Sequence, residues 1–513
     1  MTPPNDFQDA ALLAPPPGVR GGDGPLLRPG ETCWRVERGG RAAFLLDSAA
    51  YFAAAREAML QARRSILLLG WDFDPRTRLR PGAEGSGPAP DLPDEIGPFL
   101  KALIERRPDL EVRVLVWDMP MLIEGGRDLS PRKEPEWFRD SAVRFRLARA
   151  PAGACHHQKL LVVDGAVAFC GGGDFATNRW DTPRHPDHDP RRREPSGEEH
   201  EPRHEVMVLV EGPPAAALDA LARERWRGAE RGRPGPDAED APPRPRTGAA
   251  PWPAGVRADL AEAPRVGIAR TKPEWERGLP AREGEALHLA AIAAARRFIY
   301  LENQYFASER IASALAWRLA EPDGPEVVLV LPERSPAAVE RLAMDSPRAA
   351  LLARLRAADR HGRFAAYAPR TPGGRTVIVH SKVAVIDDAL LRVGSANLNN
   401  RSAGYDTECC LALEAPPGDG PEAARAREAI RRFRERLIGH YLGVDGDRFA
   451  EAAVAAGGLA RGIEALEAGA RNRRLVPLAP DGKLDPLRAL VARWHLFDPH
   501  GTGDAWRPWR RRA

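Results

Sequence analysis

His157-Gln158-Lys159-Leu160-Leu161-Val162-Val163-Asp164 and His380-Ser381-Lys382-Val383-Ala384-Val385-Ile386-Asp387 decide how this chain is read. Each sets a His and a Lys two residues apart at the start of a β-rich run and ends on an Asp. The period-two geometry of a strand puts that imidazole and ammonium on one face. Together they suit a phosphate: one group attacks or protonates, the other holds charged oxygens. As incidental core residues the two lysines would be costly, because a buried charge needs a partner. Lysine is also scarce here, six of 76 basic residues, and two of the six fall in these stretches.

The similarity extends outward. His157–Asp174 and His380–Asn397 align without a gap, at a shift of 380 − 157 = 223 residues. Upstream, Ala62–Phe73 resembles Ala295–Phe306, a helix end running into an apolar strand. Downstream, Glu205–Glu211 matches Glu408–Glu414. Three matches in one order mean a duplicated domain. Past the motifs come Gly171-Gly172-Gly173-Asp174 and Gly394-Ser395-Ala396-Asn397. Small residues there let the backbone approach a phosphate, and Asn397 can donate to an oxyanion. Glu205 and Glu408 follow at matching positions, and a carboxylate beside each histidine would fix its tautomer.

Pattern predicts the elements of the first half. Helices are expected near 48–64, 95–106 and 213–225, and strands near 66–73, 111–117, 143–147, 159–163, 166–170 and 206–211. Asp164-Gly165 is a strong turn dipeptide joining two of those strands. Alternating strands and helices argue for an α/β sandwich. The expected organisation is an N-terminal extension at 1–40, a first half at 41–229, a Pro/Arg-rich linker at 230–263, a second half at 264–442 and a tail with helices at 443–513.

Composition sets limits. The chain has 513 residues and a net charge of 76 − 72 = +4, too small to argue for a nucleic-acid partner. Five cysteines without a C-x-x-C spacing argue against a disulfide framework or a cysteine zinc site. The Pro/Gly-rich start lacks a signal pattern, and no apolar run reaches membrane-spanning length. A cytoplasmic monomer with peripheral membrane contact is expected. His185-Pro186-Asp187-His188-Asp189, with His200 and His204, offers metal-ligand types. Spacing alone is weak evidence, so a solvated loop and no metal are expected.

Taken together, the sequence resembles the phospholipase D superfamily, whose members carry two His-x-Lys-x4-Asp motifs at one shared site. The likeness runs from about Ala43 to Leu442. Gly70–Asp74, Asn178–Pro186 and Glu302–Phe306 resemble the phospholipase D/transphosphatidylase branch. The resemblance implies a phospholipase D-like fold: two pseudo-symmetric α-β-α sandwich domains around one central active site. It implies a cofactor-free, ping-pong phosphatidyl transfer through a phosphohistidine, to water or an alcohol, on phospholipid at a membrane surface. His157 matches the nucleophile and His380 the general acid. Lys159, Lys382 and Asn397 match phosphate ligands, with Asp174 and Ser395 expected beside them, although Asp174 stands where some members have Asn. Glu205 and Glu408 would orient the histidines, and Asp164 and Asp387 would complete the motifs as architectural supports. Trp71, Asp72, Trp180, Asn303 and Tyr305 form the candidate substrate channel. A cardiolipin-synthase-like phosphatidyltransferase, a nuclease of the same superfamily and an inactive lipid-binding module are the alternatives.

Overall fold

Runs such as Ile66–Leu69, Val327–Val330 and Val383–Ile386 are buried throughout. Strands of that kind must be covered on both faces, and they set the layering. A computed structural model of the chain describes residues 24–83, 89, 91–119, 134–229, 248–336, 340–478 and 497–503. Its earlier strands are β1 Arg35–Glu37, β2 Ala42–Leu46, β3 Ser65–Gly70, β4 Glu111–Trp117, β5 Arg144–Ala148, β6 Leu160–Val163, β7 Val167–Gly171, β8 Arg203–His204 and β9 Val206–Glu211. The later ones are β10 Val266–Lys272, β11 Ala281–Arg282, β12 Phe298–Glu302, β13 Glu326–Val330, β14 Phe364–Pro369, β15 Ile378–Val379, β16 Val383–Ile386, β17 Leu390–Gly394, β18 Glu408–Glu414 and β19 Leu475–Pro477.

The first sheet has the order β2-β9-β7-β6-β3-β4-β5. The second has the order β1-β10-β18-β17-β16-β12-β13-β14-β19, with β11 on β10. Without β1 and β19 the second order repeats the first strand for strand. The pairing sense repeats too: β3-β4-β5 and β12-β13-β14 are parallel, and β3 pairs antiparallel with β6 as β12 does with β16. The duplication therefore governs topology as well as motif text.

Between the sheets lies a common core. Phe44, Val162 and Val208 of the first sheet and Ile268, Leu391 and Leu411 of the second belong to it. The helices Pro213–Gly228 and Pro421–Leu442 add Leu218, Trp226, Phe433 and Leu437. Outer helices cover the far faces: Asp47–Leu60 and Ile96–Arg106 on the first sheet, Glu283–Ala294, Glu309–Ala320 and Ser346–Ala358 on the second. This is the expected pair of sandwiches.

Two segments outside the repeats join it. The N-terminal segment, expected as an extension, lays β1 along β10 of the second sheet, and the tail lays β19 along β14. The tail also forms the helices Gly446–Ala456 and Leu459–Glu467. Residues 230–247 of the expected linker, and Trp506, Trp509 and Arg510–Arg512, lie outside the described residues. No described helix is long and apolar enough to cross a membrane.

Candidate active site

The motif histidines sit just before β6 and β16, where the chain leaves one half to touch the other. The His157 backbone N–H donates to Thr407 O at 3.0 Å, and the His380 N–H to His204 O at 2.9 Å. Beside them the short strands β8 and β15 pair in parallel and stitch the halves together. Each imidazole thereby meets a carboxylate of the opposite half. His157 Nδ1 lies 3.1 Å from both carboxylate oxygens of Glu408, and His380 Nδ1 lies 2.6 Å from Glu205 Oε2. An Nδ1–H donated to glutamate leaves each Nε2 as the reactive nitrogen. Glu408 is itself held by the hydroxyls of Ser402, at 2.7 Å, and Ser395.

The two lysines differ. Lys159 Nζ is 3.1 Å from Asp174 Oδ2, with both side chains buried. Each lysine also donates to the carbonyl of its own motif histidine, at 3.1 Å for Lys159 and 2.5 Å for Lys382, but where Lys159 has a carboxylate Lys382 Nζ donates to Gln304 Oε1 at 3.1 Å. Asp174, expected at substrate phosphate, is thus the counter-ion of Lys159, and its Oδ1 accepts the Trp71 N–H at 2.9 Å. A carboxylate so placed repels phosphate. Ser395, also expected there, spends its hydroxyl on Glu408 and accepts the Cys409 N–H. The aspartates that end the motifs face away from the site. Asp164 Oδ1 accepts the N–H groups of Arg63, Arg64 and Ser65 at 3.1, 2.8 and 3.0 Å. Asp387 does the same for Arg296, Arg297 and Phe298. Each fastens the entry of the strand beside its own.

His157, His380, Glu408 and Asn397 line one cleft of about 260 Å³. Trp71 and Tyr305 line it as expected for a channel. Asp72, Trp180 and Asn303 do not. Asp72 accepts from Arg179, Trp180 is buried in the first core, and Asn303 Oδ1 accepts the N–H groups of Tyr305 and Leu398. Sequence reasoning missed Trp117, Cys155, Arg401 and Met344 in the same wall. Met344 arrives on a π-helical turn, Arg341–Asp345, a rare form often found at functional sites. Trp117 closes a strand whose boundary was legible, but its approach to Trp71, 5.8 Å between ring centroids, is tertiary.

Charge in the site is uneven. Burial, then the cations Lys382, Arg203, Arg179 and Lys159, hold His380 well below the usual histidine range. Burial likewise pushes Lys382 down to about 7, against the pull of Glu205. Burial raises Glu205. It also works on Glu408, but the His157 charge and the bonds from His157, Ser395 and Ser402 win and bring Glu408 below its ordinary value.

The segment expected as a solvated loop is mixed: His188 is exposed, whereas His185, Asp189, His200 and His204 are less than a tenth exposed. Asp47, His185, His204 and His440 each bring a ligand-type atom within 4.8 Å of the others. This donor set is the one among the described residues that could hold a metal ion. His204, however, contacts carboxylates through both nitrogens, Asp47 at 2.9 Å and Glu302 at 3.1 Å. Burial opposes its charge, but those two anions raise it to about 10. The imidazolium therefore already supplies positive charge to the cluster.

A family profile described as "Cardiolipin synthase, PLD-like domain" matches residues 288–435. Phospholipase D beta 2 of Arabidopsis thaliana is 30% identical over 213 residues, which are 33% of this chain and 22% of that protein. Cardiolipin synthase A of Pseudomonas putida (strain GB-1) is 28% identical over 54% of this chain and 45% of its own length. The match to phospholipase D alpha 2 of Oryza sativa subsp. japonica is 25% identical and spans 77% of this chain and 63% of that one. The chain thus spans between 19% and 37% of the length of the Arabidopsis phospholipases D it matches. In fold it is similar to phosphatidylserine synthase of Haemophilus influenzae Rd KW20, with a TM-score of 0.51 and 13% identity over 79% of this chain and 88% of that one. With two repeated sheets, two motifs delivered to one cleft and these relatives, the chain belongs to the phospholipase D superfamily.

Proposed function

We propose that this protein cleaves or transfers the head-group phosphodiester of glycerophospholipids by a two-histidine, ping-pong reaction. The observation that carries this is the pair of His–Glu contacts, each spanning the two halves, which turn both Nε2 atoms toward one cleft. In the first step His157 Nε2 attacks phosphorus, the P–O bond to the head group breaks, and His380, protonated to the imidazolium once the anionic substrate is bound, gives its Nε2 proton to the departing alkoxide. In the second step His380 takes a proton from water or an alcohol, whose oxygen displaces His157 and releases phosphatidate or a new phosphatidyl ester. Lys159, Lys382 and Asn397 hold the phosphate oxygens as charge builds on them. Glu205 and Glu408 are positioning residues.

A specific observation favours the reverse assignment. His380 is the histidine held neutral in the free site, and a neutral imidazole is the form that attacks. Denaturant quenching at alkaline pH during turnover, which preserves the acid-labile P–N bond, followed by peptide mapping of the phosphohistidine, separates the two: label at His157 supports the first assignment, label at His380 the second.

The test of function is turnover of mixed phospholipid vesicles with added ethanol. Phosphatidate and phosphatidylethanol from wild type, and neither from His157→Ala or His380→Ala, is the expected result. No product from any phospholipid would sink the proposal, and faster cleavage of DNA would move the protein to the nuclease reading. Similarity to cardiolipin synthases supports a second acceptor class, a lipid alcohol. Cardiolipin made from phosphatidylglycerol alone would mark that activity.

A further inference from the structure

The cations around His380 exceed what one phosphodiester needs. Lys159 is matched by Asp174, and Arg179 Nη2 reaches Asp72 at 3.3 Å. The two catalytic-site glutamates are taken by the histidines. Lys382 and Arg203 remain. Arg203 sits on β8, one residue before His204 and two before Glu205, and is 8% exposed. Its Nε is buried with no hydrogen-bond partner, and its guanidinium forms no ion pair among the described residues. The carboxylates near enough to influence it are Glu205 and Glu340, with Tyr305 beside them. Glu205 is bonded to His380, and Glu340 accepts from the Tyr305 hydroxyl. Tyr305 and Glu340 both line the cleft.

We propose that Arg203 binds a second anionic group of the substrate, beside the scissile phosphate. This rests on the phosphodiesterase reading of the site. The scissile diester brings one negative charge, which Lys382 answers. A buried guanidinium without a counter-ion is costly, and an incoming carboxylate or phosphate relieves that cost with a charge-assisted, two-pronged contact. The substrate class is therefore a phosphodiester whose head group carries its own anion, a carboxylate as in a serine head group or a further phosphate. Glu340 favours the first, because an amino-acid head group also offers an ammonium to that carboxylate.

Soluble head-group probes test this without a membrane surface. Calorimetry would compare sn-glycero-3-phosphoserine with sn-glycero-3-phosphocholine, and pyrophosphate with phosphate, on the full chain. Wild type should bind the doubly anionic member of at least one pair about tenfold more tightly. The first pair reports a carboxylate source and the second a phosphate source. Arg203→Met should erase the preference, and Arg203→Lys should retain part of it, with melting curves confirming that both variants fold. Equal affinities within each pair in wild type, or a preference that survives Arg203→Met, would overturn the proposal. If the preference and its loss are seen but no phospholipid is turned over, the anion subsite stands and the lipid reading falls.

Discussion

Asp164→Ala should cost stability rather than chemistry. The carboxylate accepts three consecutive backbone N–H groups, those of Arg63, Arg64 and Ser65, where the chain enters β3. Ser65 and Asp164 are both about 4% exposed, so water replaces little of that bond, although it can reach the Arg63 and Arg64 donors. Leaving a buried donor unmade costs about 1–3 kcal/mol, and a bond to a charged acceptor sits at the upper end. Asp164 also has φ of 57°, a left-handed conformation that alanine adopts only at about 1–2 kcal/mol. With the Arg63 and Arg64 donors partly solvated and only that of Ser65 buried, the sum is about 4–6 kcal/mol. Asp164→Asn keeps one acceptor oxygen and tolerates the backbone, so it should lose about half of that. Urea denaturation of wild type and both variants measures the difference, and activity of the folded fraction measures the rest. Stability unchanged in Asp164→Ala, together with lost turnover per folded molecule, would refute the reasoning and return this aspartate to the chemistry.

Lys159→Ala strands the buried Asp174 carboxylate, so it should lower stability by about 3–5 kcal/mol as well as turnover, whereas Lys159→Ala/Asp174→Asn should regain stability but stay inactive; melting and turnover measured side by side check this. Lys382, which no carboxylate among the described residues pairs, should when changed to Met lose turnover by about 10²–10³-fold with its melting temperature nearly unmoved. Since Lys382 is brought down to about 7, it carries its charge below that pH and loses it above. The kcat/KM profile should therefore fall on the alkaline side near pH 7, and Lys382→Arg should move that limb upward; an unchanged limb would assign it to another group. Glu205→Gln and Glu408→Gln should each cut kcat by about 10³–10⁴-fold with little change in KM, as expected for a lost orienting carboxylate.

Much of the fold was legible because it is written in periodicity. The boundaries of β4 and β9 follow β-branched runs with breakers at both ends, and the gap-free repeat from His157 and His380 carried the topology of one sheet to the other. The strands β1 and β19 were not legible, since a short edge segment acquires its pairing from a surface distant in sequence. At the site, residue types were legible but partners were not. Glu205 and Glu408 hold equivalent repeat positions, so nothing local says that each serves the opposite histidine. The break in symmetry between Asp174 and Asn397 was visible, but only the 3.1 Å contact shows that it gives Lys159 a counter-ion and leaves Lys382 without one. The histidines around His185 follow a Pro- and Asp-rich text that reads as solvated. His185 and His204 are covered by His440 and Tyr441, on a helix of the other half.

The exchange of glutamates between halves also sets a timetable for synthesis. A ribosome makes His157, Lys159 and Glu205 long before it makes His380 and Glu408. Until then His157 has no carboxylate to fix its proton, and Glu205 has no histidine to serve. The nascent first half is therefore catalytically incomplete, and its face of the common core stays uncovered until the second sheet arrives, so a chain truncated anywhere before Glu408 should be inactive.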